Sequence, residues 1–82
     1  QFINLIITLP ENSNNSFDEI IETISKFSNY ISLKRFSKDG NNIESSLYLN
    51  IKSFSVMNDL RNNLTNNFPG IMLDFIDNSD LE

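Results

Sequence analysis

The apolar residues of this chain repeat at every second position in four stretches and at helical spacing in two. Side chains on one face of a strand recur with period two, and those on one face of a helix with a period of about 3.6. The order of the periods is therefore an order of elements: strand, helix, strand, strand, helix, strand. Phe2 to Leu9 is apolar on both faces, with Ile3, Leu5, Ile7 and Leu9 on one and Phe2, Ile6, Asn4 and Thr8 on the other. A doubly apolar strand suits the middle of a sheet, and Pro10, which has no N–H to give, closes it. Phe17, Ile20, Ile21, Ile24 and Phe27 then make one stripe of an amphipathic helix over about 17–28. Ser16 and Glu19 stand at capping-box spacing ahead of it.

Tyr30 to Ser37 alternates again, with Ile31 and Leu33 on one face and Ser32, Lys34 and Phe36 on the other. Asp39-Gly40 signals a hairpin into Ile43 to Lys52, the most regular strand of the chain. There Ile43, Ser45, Leu47, Leu49 and Ile51 point one way, and Glu44, Ser46, Tyr48 and Asn50 the other. Ser53 or Ser55 caps a second helix whose inner stripe is Met57, Leu60, Leu64 and Phe68. Pro69-Gly70 ends it. In the last strand Ile71, Leu73 and Phe75 oppose Met72, Asp74 and Ile76. Both prolines and both glycines fall at connections.

This order is the βαββαβ pattern of a ferredoxin-like α+β sandwich. It predicts a four-stranded antiparallel sheet of order 4-1-3-2 with both helices on one face. One domain is expected to cover residues 1–77, with residues 78–82 expected as an acidic, mobile tail. The helix-facing core comprises Ile3, Leu5, Ile7, Ile31, Leu33, Leu47, Leu49, Ile51, Ile71, Leu73 and Phe75. The helices meet it with Ile20, Ile21, Ile24, Phe27, Met57, Leu60 and Leu64. The opposite face of the sheet is expected to carry Phe2, Ile6, Phe36, Tyr48, Met72 and Ile76. A solvated face has no need of so many large apolar groups, so this set predicts an interface.

Composition removes most chemistry. Without cysteine there is no disulfide framework and no thiolate metal site. Without histidine the commonest general base and metal ligand are missing. Eleven acidic residues against six basic ones argue against nucleic acid, which is bound by neutralising phosphates. No apolar run approaches the roughly 20 residues that span a bilayer. Asp74, Asp77, Asp80 and Glu82 lack the spacing of a calcium loop and read as a solvated acidic end. Lys34, Arg35 and Lys38 read as protection of an exposed strand edge. No cofactor and no metal is expected.

The stretches Ile31-Ser32-Leu33-Lys34, Ser46-Leu47-Tyr48-Leu49-Asn50-Ile51, Met57 with Leu60-Arg61 and Leu64, and Gly70-Ile71-Met72-Leu73 resemble a known type. They look like the C-terminal soluble domain of bacterial membrane proteins of the MgtC/SapB type. The resemblance covers about the last two-thirds of the chain. It implies an ACT-like fold, a cytoplasmic location as the soluble part of an integral membrane protein, and a regulatory or assembly role. ACT domains proper often bind amino acids beside a glycine in the first strand–helix loop. Here that loop, Pro10 to Ser16, has no glycine, so amino-acid binding is not carried across. Acylphosphatases share the topology but need an arginine in a phosphate-cradling loop, and neither Arg35 nor Arg61 lies in one. The chain therefore reads as a non-catalytic interaction or regulatory module. It forms a homo-oligomer or contacts its parent chain through the open sheet face. A small-ligand sensor is the alternative and a phosphate-processing enzyme the third reading.

Overall fold

A computed structural model describes residues 1–10 and 17–77. The elements run β1 (Phe2–Pro10), α1 (Phe17–Ser25), β2 (Tyr30–Asp39), β3 (Asn42–Asn50), α2 (Phe54–Asn67) and β4 (Met72–Asp77). All strand pairs are antiparallel and the sheet order is β2-β3-β1-β4. This is the expected βαββαβ sandwich, with the doubly apolar first strand in the middle. The Ser16 cap, the loop over 11–16 and the tail over 78–82 lie outside the described residues.

The core sits between the helices and one face of β1 and β3. Ile3, Leu5, Ile7 and Leu9 from β1 are buried there with Leu47 and Leu49 from β3. Ile51 lies just past β3 and is buried too, its N–H held by the carbonyl of Gln1 at 2.8 Å. Ile20 and Ile24 of α1, Leu60 and Leu64 of α2, and Phe68 close the core from above. Each such side chain contributes roughly 1.5–3 kcal/mol by leaving water.

The connections follow from their residues. Gly40 and Asn41 make a two-residue hairpin loop between the paired Asp39 and Asn42. Only Gly40 has a positive φ, at 60°, which is the pattern with glycine first. Ser53, and not Ser55, caps α2, its Oγ accepting the Val56 N–H at 3.3 Å. After α2 the Ile71 N–H returns to the Phe68 carbonyl at 3.2 Å, closing a turn through Pro69 and Gly70. Gly70 has φ 87°, the left-handed position such a turn demands. Pro10 pairs with Asn42 at the end of β1, beyond the reach of β4, whose first residue Met72 pairs with Thr8. Its missing N–H leaves no gap in that ladder.

The structure corrects the expectations in three places. Helix α1 ends at Ser25, short of 28. The Lys26 and Phe27 N–H groups bond to the carbonyls three residues back, Thr23 and Ile24, and this tightened turn stops the helix. Leu33 faces the helix side, opposite Leu47, yet is 51% exposed. It lies on an edge strand, and the helices cover β1 and β3 while leaving that margin open. The third correction is a β-bulge. Leu33 pairs with Leu47 but Arg35 pairs with Ser46, so Lys34 is an extra residue in β2. The alternation reverses past the bulge. Phe36 thus lies beside Ser45 on the helix side, not on the open face, and its ring meets that of Phe17 edge-on at 5.1 Å.

Ser45 itself is a departure of another kind. It is buried between Ile7 and Phe36, and its Oγ has no hydrogen-bond partner among the described residues.

Candidate functional site

The face of the sheet away from the helices is built by register. Cross-strand partners share a face, so the pairings define rows across β2, β3, β1 and β4. The first row is Tyr30, Asn50 and Phe2. The second is Ser32, Tyr48, Asn4 and Ile76; the third is Arg35, Ser46, Ile6 and Asp74; the fourth is Ser37, Glu44, Thr8 and Met72. The open face therefore carries Phe2, Ile6, Tyr48, Met72 and Ile76 together, as the alternation of β1, β3 and β4 predicts. Phe36 is the one member of the expected set that the bulge removes.

The bulge also brings onto this face a residue that simple alternation misses, Arg35. Tyr30, on the parity of Ser32 and ahead of the bulge, stands at the corner. Phe2 stacks on Tyr48, a diagonal neighbour, with ring centroids 5.2 Å apart and planes 12° from parallel. Tyr30 meets Phe2 edge-on at 6.4 Å. The Lys34 Nζ lies 5.9 Å from the centre of the Tyr48 ring, a distance at which an ammonium is attracted to an aromatic face. Such rings interact by about 0.5–1.5 kcal/mol per pair beyond the area they bury. They hold one another in place before anything binds. Phe2 is 44%, Met72 64% and Ile76 37% exposed, so this patch remains in water in the single chain.

Two shallow depressions meet at the Thr8–Glu44 pair. One, of about 270 Å³, is bordered by Arg35 and Ser37; the other, of about 330 Å³, by Ile6, Met72 and Asp74. Neither is a closed cavity of the kind that buries most of a small molecule. A cleft of about 420 Å³ between the helices is rimmed by Glu19, Glu22, Lys26, Asn63 and Asn67 over Phe27 and Phe68. Its charged members, Glu19, Glu22 and Lys26, are all exposed, a solvated groove without a convergent set of buried polar groups. Among the described residues no group of three or more acidic side chains stands close enough to hold a metal ion. Among them, too, no helix is long and apolar enough to cross a membrane. The small-ligand alternative places its site in the first strand–helix loop, which lies outside the described residues, or between subunits.

No protein-family model matches the sequence, and neither does any curated protein. The fold, however, is found among solved structures. The crystal structure of the ACT domain from GTP pyrophosphokinase of Chlorobium tepidum is similar with a TM-score of 0.65, at 17% identity. The similarity covers 92% of this chain and 96% of that one. At this identity the likeness establishes an ACT-like, ferredoxin-like fold. It lends nothing to an MgtC/SapB-type parent.

Proposed function

We propose that this ACT-like domain is a non-catalytic interaction module whose working surface is the open face of the sheet. The observation that carries the reading is the aromatic and aliphatic patch that register assembles there. Phe2, Tyr48, Ile6, Met72 and Ile76 come from three strands and from distant parts of the chain. None of them supports the helix-side core. Contiguous exposed apolar patches of this kind mark surfaces that something covers. Glu44, Asp74 and Arg35 interrupt the patch, so the contact is a reversible one with a polar margin rather than an obligate interface. What supports a membrane-attached parent with this domain in the cytoplasm is the hydrophobic rhythm shared with MgtC/SapB-type domains; fractionation of the full-length product tests it.

The direct test is the double variant Ile6→Asp with Tyr48→Ser, followed by sedimentation equilibrium and by binding to the remainder of the parent protein. Association is expected to weaken while the urea midpoint of folding stays near that of the unmodified chain. Undiminished association overturns the reading. Loss of the fold would show that these side chains support the core after all.

A further inference from the structure

We propose that a second copy of this chain occupies the open face, packed sheet on sheet about a two-fold axis parallel to the strands. The proposal rests on the interaction reading above and adds to it a partner and an orientation. The chain has a formal charge of −5. On the open face Lys34 and Arg35 stand against Glu44 and Asp74, with Asp39 in a further row at the hairpin end, so this face is much nearer neutrality than the chain. Much of the excess negative charge lies on the helices, with Asp18, Glu19, Glu22 and Asp59. Repulsion between two copies is therefore weaker through this face than through the helix layer.

Arg35 and Asp74 end the same row at opposite margins of the sheet, on β2 and β4, and Ile6 in that row is the midpoint of β1. Both are exposed, and neither has a hydrogen-bonded or ion-paired partner among the described residues. Two sheets facing one another can be related by an axis across the strands or along them. An axis across the strands lays β2 on β2 and sets Arg35 against Arg35 and Asp74 against Asp74. An axis along the strands lays β2 over the β4 of the other copy. Arg35 of each copy then meets Asp74 of the other, twice per dimer. Aligned sheets pack about 10 Å apart with strands turned by about 30°. That turn displaces the middle row least, so the pairing survives it. The same axis runs between β3 and β1, which brings the Phe2–Tyr48 stack and Ile6 of both copies to the centre.

The test uses Arg35→Glu and Asp74→Arg, singly and mixed. Alone, each variant turns both symmetric contacts repulsive and is expected to weaken self-association by roughly tenfold or more. An equimolar mixture of the two is expected to associate within about threefold of the unmodified chain, because each supplies the charge the other lacks. Rescue on mixing also shows that both variants are folded. A mixture no tighter than its components overturns the proposal, as does a strictly monomeric unmodified chain. If the charge variants have no effect but Ile6→Asp with Tyr48→Ser does, the axis is wrong and the open face remains the interface. If neither set has an effect, the interaction reading falls as well.

Discussion

Replacing Ser45 with alanine is expected to stabilise this protein. The Ser45 side chain is 1% exposed and its Oγ finds no partner among the described residues. A buried hydroxyl left unpaired costs about 1–3 kcal/mol relative to the same group in water. Alanine removes that cost. Against it stands the loss of one oxygen's dispersion contacts, each worth about 0.1–0.2 kcal/mol, with Ile7 and Phe36 on either side. Phe36 is itself half exposed and can close over the small gap. The balance is a gain of about 1 kcal/mol, or an increase in Tm of about 4–8 °C for a domain of this size. Urea titration followed by circular dichroism reads it as a higher midpoint at unchanged slope. Ser46→Ala is the control. Ser46 is the next residue, half-buried on the open face, and its loss is expected to stay within about 0.5 kcal/mol. A loss of stability on Ser45→Ala refutes the reasoning, because the hydroxyl would then be making a bond that its position between Ile7 and Phe36 does not provide.

Two further substitutions test the connections. Ser53→Ala is expected to cost about 0.5–2 kcal/mol by removing the acceptor of the Val56 N–H, while Ser55→Ala is neutral; the reverse order of urea midpoints would move the helix start. Gly70→Ala is expected to cost about 1–2 kcal/mol in backbone strain, plus the crowding of a Cβ placed 3.3 Å from the Pro10 Cγ. At Gly40 an added Cβ meets nothing within 4 Å among the described residues, so Gly40→Ala is expected to cost backbone strain alone; urea midpoints read both losses.

The sequence alone determined the elements, their order and their arrangement in the sheet. Hydrophobic period is a local property, legible from Ile3, Leu5, Ile7 and Leu9 or from Leu60 and Leu64 without any knowledge of neighbours. Once the order is strand, helix, strand, strand, helix, strand, short connections and antiparallel pairing leave few ways to form one sheet. The open face was legible for the same reason wherever a strand alternates without interruption, hence Phe2, Ile6, Tyr48, Met72 and Ile76. The tertiary structure decided what depends on pairing and cover. In β2 the apolar residues 31, 33 and 36 are spaced two and then three apart, a sign of an extra residue, but one strand read in isolation allows either parity. Only the hydrogen-bond register against Leu47 and Ser46 places Lys34 in the bulge, sends Phe36 to the helix side and brings Arg35 to the open face. Only the extent of the helices leaves Leu33 in water, and only the neighbours of Ser45 leave its hydroxyl unpaired among the described residues. Period is written residue by residue along the chain; register and cover arise between segments that the chain brings together only when it folds.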